Sequence, residues 1–91
     1  MQAQLEVKRM PALSDRDRQV LVFERGTWRS AGAKEQGIAE TLGMSATRYY
    51  QVLNELIDKP EALQFDPSLV KRLRARRARR AALRSPQQGA S

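Results

Sequence analysis

The sequence predicts an all-α fold, a three-helix bundle followed by a long basic helix. Apolar residues recur at helical spacing in three segments, and each segment is bounded by a capping residue or a glycine. No segment alternates apolar and polar residues as a half-buried strand does. The C-terminal part is rich in Arg, Lys, Ala and Leu, which are all good helix formers. The predicted helices cover about residues 15–25, 33–42, 45–58 and 67–84.

Local signals justify the first two helices. Ser14 can cap the first helix, and acidic residues in its first turn suit the positive end of the helix dipole. Gly26 ends it, and we expect the single tryptophan, Trp28, to pack beside Phe23 in the connector that follows. The second helix ends at Gly43, because glycine readily adopts the left-handed conformation common at helix C-termini.

The turn around Gly43 joins the second and third helices. Ala39, four residues earlier, is small enough to let the two helices approach closely, and Ile38, Leu42 and Met44 fill the angle between them. This arrangement resembles the helix-turn-helix of phage-repressor-type regulators. The similarity is strongest in the stretch from Gly43-Met44-Ser45 to Leu53-Asn54. The resemblance implies that the third helix enters the major groove of DNA.

The third helix divides into two faces. Its apolar stripe consists of Tyr49, Val52, Leu53 and Leu56, and a tyrosine in that stripe needs a partner for its hydroxyl. The opposite face carries uncharged side chains that can hydrogen-bond to base edges or phosphates. The candidate DNA contacts at the start of this helix and on this face are Ser45, Thr47, Arg48, Tyr50, Gln51 and Asn54.

The last helix begins at Asp66-Pro67 and carries the positive charge of the chain. Residues 1–70 contain 9 basic and 10 acidic side chains, whereas residues 71–91 contain 8 basic and no acidic ones. Arginine makes forked contacts with phosphate, and a row of like charges favours a polyanionic partner. The candidate phosphate contacts are Lys71, Arg72, Arg74, Arg76, Arg77, Arg79, Arg80 and Arg84.

The sequence therefore predicts three parts. Residues 1–13, which include Pro11, form a flexible leader, and residues 14–70 form the helix-turn-helix domain. Residues 71–91 form the arginine-rich helix and a disordered tail. A short helical turn at about residues 61–64 follows the break at Pro60.

A second resemblance covers about residues 14–75. The stretches that carry it are Gly32-Ala33-Lys34-Glu35, Arg48-Tyr49-Tyr50-Gln51, Leu53-Asn54, Asp66-Pro67 and Leu69-Val70-Lys71-Arg72-Leu73. They are similar to a family of small actinobacterial proteins known only as a domain of unknown function. The resemblance implies a helix-turn-helix character and a bacterial, cytoplasmic location, and it implies no activity.

Composition disfavours several classes of protein. The chain contains no Cys and no His, so we expect no disulfide, no metal or cofactor and no enzyme activity. No apolar stretch is long enough for a membrane span, and we expect a cytoplasmic protein located at the nucleoid.

The sequence predicts the first of three functions, and the other two are alternatives. The first is binding of double-stranded DNA, as a transcriptional regulator or a nucleoid-associated factor. The second is RNA binding, and the third is contact with RNA polymerase or another transcription component. A bundle without a ligand would also show the glycine turn, and a solvated tail would also be charged. The DNA target and the oligomeric state stay open.

Overall fold

The computed structural model describes residues 12–84, which form five helices and, within that range, no strand. The helices are α1 (Asp15–Glu24), α2 (Ala31–Leu42), α3 (Ala46–Leu56), α4 (Pro60–Phe65) and α5 (Pro67–Arg84). The predicted all-α class is confirmed. Most of the predicted leader and the whole predicted tail after residue 84 lie outside the described residues.

Serine caps set the starts of the first three helices. Ser14, Ser30 and Ser45 each accept a hydrogen bond from the backbone amide three residues on, at 3.0, 3.0 and 3.1 Å. Because Ser30 caps α2, that helix begins two residues before the predicted position 33. Ser45 caps the third helix, as the sequence predicted, and that helix ends at Leu56 rather than at about residue 58.

Gly43 adopts the left-handed conformation that the sequence predicted. Its φ is 66°, and its amide donates to the carbonyl of Ala39 at 3.1 Å. The expectation for Ala39 itself was wrong, because its side chain is exposed. The close approach on α2 occurs instead at Gly37, where an added Cβ would lie only 2.6 Å from Cη2 of Trp28.

The core lies where α1, α2 and α3 contact one another in all three pairs. Tyr49 on α3 is its largest fully buried side chain. Leu13 is also buried, with 8% of its surface exposed, so the core begins at the last residue of the predicted leader, one residue before the predicted start of the domain. The other buried apolar residues are Val20, Leu21, Ile38, Val52, Leu53, Leu56, Ile57, Ala62, Leu69, Val70 and Leu73.

The helix α4 turns the chain into α5. It has six residues, longer than the single predicted turn, and Pro60 occupies its first position. Asp66 then accepts a hydrogen bond from the amide of Leu69 at 3.3 Å, and α5 packs against α4. The predicted boundary at residue 70 falls inside this one continuous helix, whose buried residues include Leu73. None of the helices in residues 12–84 is long and apolar enough to cross a membrane.

Candidate nucleic-acid interface

An open cleft of about 680 Å³ separates α3 from α5. Its α3 wall carries four polar side chains, those of Thr47, Tyr50, Gln51 and Asn54. Its α5 wall carries four arginines, Arg76, Arg77, Arg80 and Arg84. Leu53, Ile57 and Leu73 supply its apolar lining. The structure therefore brings members of the two predicted contact sets, one on each helix, to the same cleft.

The cleft is strongly basic. Five basic side chains line it, the four arginines and Lys34 of α2, against one acidic side chain, Glu24 of α1. Lys34 and Glu24 form an ion pair with 2.9 Å between Nζ and Oε1, so these two charges compensate each other. The net positive charge of the cleft is consequently that of the α5 wall.

Glu24 also solves the problem of the buried tyrosine. The hydroxyl of Tyr49 donates to Oε1 of Glu24 at 2.5 Å, in a buried contact. Burial raises the pKa of Tyr49 well above its usual value, and the hydrogen bond and negative charge of Glu24 raise it further. The Lys34 ammonium lies 5.7 Å from the Tyr49 ring centre and 5.3 Å from that of Tyr50. Tyr50 therefore lines the cleft next to Lys34, whose charge is paired with Glu24.

A row of aromatic rings connects this cluster to the α1–α2 connector. Trp28 stacks on Phe23 with 5.1 Å between ring centres, which confirms the predicted contact. Phe23 meets Tyr49 edge to face at 5.6 Å, and Tyr49 meets Tyr50 in the same way at 5.1 Å. These contacts orient the Tyr50 ring from behind while 44% of its surface stays exposed.

Two of the arginines hold α5 against the end of α3. The guanidinium of Arg77 donates to both carboxylate oxygens of Asp58, at 2.6 and 3.2 Å, and to Oδ1 of Asn54 at 3.0 Å. Arg74 donates through Nε to the carbonyl of Ile57, the C-cap residue of α3. Asn54, Arg74 and Arg77, all candidate DNA contacts, are therefore engaged within the chain.

The contact with Arg77 also changes the pKa of Asp58. The hydrogen bond from Arg77 lowers the pKa of the Asp58 carboxyl below its usual range, and the positive charges of Arg77 and Arg74 add to that effect. The pair is exposed, so solvent screens it, and its forked geometry links α5 to the chain just after α3.

The remaining candidates do not line the cleft. Ser45 and Arg48 at the start of α3 are exposed outside it, and the hydroxyl of Ser45 already accepts the capping hydrogen bond. Lys71, Arg72 and Arg79 are exposed elsewhere on α5. Asn54 and Arg77 line the cleft but are engaged within the chain. The other candidates that line it are Thr47, Tyr50 and Gln51 on α3 and Arg76, Arg80 and Arg84 on α5.

Sequence reasoning missed the parts of Glu24 and Lys34 in this site. The one available signal was Tyr49, whose hydroxyl needed a partner in a buried stripe. That signal requires a partner without naming it. Nothing in the local pattern of α1 or α2 pairs Glu24 with Lys34, because their contact depends on how the two helices pack.

Comparison with protein families gives one result. Residues 12–85 match the family described as "Protein of unknown function (DUF3263)", and the chain belongs to that family. The resemblance to a family known only as a domain of unknown function is thereby confirmed. No curated protein and no solved structure matches the chain. The family description names no activity, so a function has to be argued from the cleft.

Proposed function

We propose that this member of the DUF3263 family binds double-stranded DNA through the cleft between α3 and α5. In this proposal α2, the Gly43 turn and α3 act as a helix-turn-helix, and the arginines of α5 contact phosphates. The observation that carries the proposal is that the uncharged polar face of α3 and the arginines of α5 open onto the same space.

The face of α3 suits the edges of bases. Gln51 is exposed and carries an amide, which can donate to and accept from adenine in the major groove. Thr47 is exposed one turn earlier and can hydrogen-bond a base or touch a thymine methyl group. Asn54 has the same chemistry as Gln51, but Arg77 occupies its carbonyl oxygen. We therefore assign base contact to Thr47 and Gln51 and a positioning role to Asn54.

The outer arginines of α5 suit phosphates. Within residues 12–84, Arg76, Arg80 and Arg84 make no hydrogen bond and no ion pair, in contrast to Arg74 and Arg77. An arginine without a carboxylate partner keeps its forked donors available for a phosphate. Each phosphate that it neutralises releases counterions and makes binding more sensitive to salt.

The proposal is tested by fluorescence anisotropy with the full chain and a labelled 16-base-pair duplex at several salt concentrations. We expect binding in the micromolar range or tighter near physiological salt, weakening steeply as salt rises. A chain that leaves the duplex unbound even at about 50 mM salt, where phosphate contacts are strong, contradicts the proposal. Selection from a random duplex pool then separates two roles: an enriched motif indicates a regulator, and uniform recovery indicates a nucleoid-associated factor.

RNA is the second candidate, favoured by Tyr50. An exposed aromatic ring beside arginines is typical of proteins that stack unpaired bases. An RNA hairpin of equal length, titrated at the same salt, should bind more weakly than the duplex if DNA is the partner. The reverse order would favour RNA.

A further inference from the structure

We infer that one strand of the DNA passes between α3 and α5, with Arg76, Arg80 and Arg84 on phosphates of that strand. This inference rests on the proposed function, and it adds which arginines touch the backbone and how the strand lies. Its basis is the geometry of the cleft, together with the standard dimensions of helices and of DNA.

The width of the major groove limits how α3 and α5 can lie on DNA. An α-helix with its side chains is about 10–12 Å across, and the major groove of B-DNA is about 12 Å wide. One groove therefore admits one helix, whereas α3 and α5 stand on opposite sides of an open cleft. Whichever helix enters the groove, the other lies outside it. The sugar-phosphate strand that borders the groove must then occupy the space between the two helices.

The spacing of the α5 arginines can be compared with that of the phosphates in one strand of DNA. Arg76, Arg80 and Arg84 follow one another at four-residue intervals along the cleft wall. Four residues of helix advance about 6 Å, so the row is about 12 Å long. One strand of B-DNA advances about 3.4 Å along the axis per nucleotide, so the row spans three to four nucleotides. Where α5 runs along the DNA axis, arginines about 6 Å apart can therefore reach about every second phosphate of that strand.

Contacts within the chain close one end of the cleft. Arg77 and Arg74 hold α5 on the last residues of α3, and Leu73 and Ile57 are buried there. Asp58 neutralises Arg77, so this end carries little attraction for a phosphate. The guanidinium groups without carboxylates lie farther along the same wall, towards Arg84. The closed end of the cleft is therefore already ordered before a DNA strand binds.

The arrangement makes Arg72 and Arg79 suitable controls. Both lie on α5 and are exposed, and neither lines the cleft. A helix that merely attracted polyanions through its total charge would use them as much as the cleft arginines. A helix that holds one strand against α3 would use them much less.

The experiment compares five single variants of the full chain: Arg76→Gln, Arg80→Gln, Arg84→Gln, and the controls Arg72→Gln and Arg79→Gln. Anisotropy titrations over a range of salt are run with a 16-base-pair duplex, with one of its strands alone and with a single-stranded RNA of the same sequence as that strand. Circular dichroism verifies that each variant keeps the helix content of the parent chain. Each variant removes one charge from a solvent-exposed position of the same helix. Because the charge of Arg72 also acts on Asp66, Arg79→Gln is the stricter control for position.

We expect each cleft variant to reduce the slope of log K against log salt by about 0.9 for the duplex and by about 0.7 for the single strand. Each control variant should change either slope by less than half as much.

The outcomes separate the inference from the proposed function. No binding of either DNA overturns both. Duplex binding with equal slope changes for all five variants overturns the placement of one strand between α3 and α5 and leaves the proposed function standing. A single-stranded RNA bound a hundredfold more tightly than either DNA overturns the choice of DNA and assigns the cleft to RNA.

Discussion

Two adjacent tyrosines of α3 have different environments. Tyr49 is fully buried and donates its hydroxyl to Glu24, whereas Tyr50 lines the cleft with 44% of its surface exposed. Lys34 lies near both rings and pairs with Glu24. The buried carboxylate is thereby satisfied by one neutral donor and one charged donor. Removing either donor leaves a buried charge with too few partners.

The first prediction concerns the Tyr49 hydroxyl. The change Tyr49→Phe should lower the free energy of unfolding by about 1.5–3 kcal/mol, because it removes a hydrogen bond to a buried charged group. The change Tyr50→Phe is the matched control and should cost less than about 0.5 kcal/mol, since it alters an exposed residue. Urea unfolding followed by circular dichroism measures both. Equal stabilities of the two variants would contradict the role given to Glu24.

The second prediction concerns Asp58 and pH. Arg77 lowers the pKa of this carboxyl in the folded chain, so its contribution to stability is complete above the ordinary aspartate pKa of about 3.9. That contribution is lost as pH falls through the lowered value. The parent chain should therefore be more stable than the Asp58→Asn variant at pH 6, and the difference should shrink towards pH 3. Urea midpoints of the two chains at both pH values measure it.

The comparison between the two chains removes other acid-sensitive contacts. The pKa of Asp66 is also lowered, chiefly by its hydrogen bond with Arg25, and Asp66 is present in both chains. Its loss at low pH therefore cancels in the difference. A difference that stayed constant between pH 6 and pH 3 would show that the Arg77 contact does not stabilise the fold.

At the scale of the elements, three glycines of the first half have three different roles. Gly43 needs its positive φ and has open space around the missing Cβ. Gly37 has ordinary helical geometry, but a Cβ there would run into Trp28. Gly32 has neither constraint, because the nearest atom to its added Cβ is Oγ of Ser30 at 4.0 Å. The same change of glycine to alanine therefore tests backbone strain at Gly43, packing at Gly37 and chain entropy at Gly32.

The third prediction follows from these roles. Gly43→Ala should destabilise the fold by about 1–2 kcal/mol through backbone strain alone. Gly32→Ala, the control, should be neutral or stabilising by up to about 1 kcal/mol, because it restricts the unfolded chain. Thermal unfolding ranks the two variants. A Gly43 variant as stable as the parent would mean that the turn does not require the left-handed conformation.

The fourth prediction concerns the two halves of α5. Leu69, Val70 and Leu73 bury the first half, whereas every residue from 78 to 84 is exposed. Arginines of like charge repel one another in that second half. In the protein alone, amide hydrogen exchange should therefore be slow up to about Arg77 and fast beyond it. Duplex DNA should slow exchange through Arg84.

Hydrogen exchange read by mass spectrometry checks this pattern, with α1 as an internal reference. Slow exchange along the whole of α5 without DNA would show that the second half needs no partner to hold it. Unchanged exchange in the second half on adding DNA would separate this segment from the proposed interface.

The elements were more predictable than their contacts. Ser14, Gly43 and the Asp66-Pro67 start follow local rules of capping and backbone conformation, and the sequence predicted them correctly. The same rules applied to Ser30 would have placed the start of α2, because it caps in the same way. The pairing of Arg77 with Asp58 spans 19 residues and depends on the direction that α4 gives to α5. No local pattern contains that information.

At the scale of the whole molecule, charge and shape have to be considered together. The excess of positive charge lies entirely after Val70, which suggests a selective bundle with a separate basic arm. The cleft changes that interpretation, because the polar face of α3 and the arginines of α5 line one space. If the chain binds DNA as proposed, selectivity and affinity come from contacts with the same stretch of nucleic acid, and residues on the two helices should influence one another.

The fifth prediction measures that influence with double-mutant cycles on duplex binding. Gln51 and Arg80 line the cleft, whereas Arg79 lies outside it. Residues that share one network show coupling of about 0.5–3 kcal/mol, and independent residues add within about 0.3–0.5 kcal/mol. Gln51→Ala combined with Arg80→Gln should therefore be non-additive, and Gln51→Ala combined with Arg79→Gln should be additive.

Coupling in the first cycle only would mean that the two helices hold the same stretch of DNA. Additivity in both cycles would instead restore the picture of two independent parts, with α3 selecting the sequence and α5 supplying attraction from a distance. Charge alone cannot produce the difference between the cycles, because Arg79 and Arg80 carry the same charge and are neighbours on α5. Their positions relative to the cleft are what the two cycles compare.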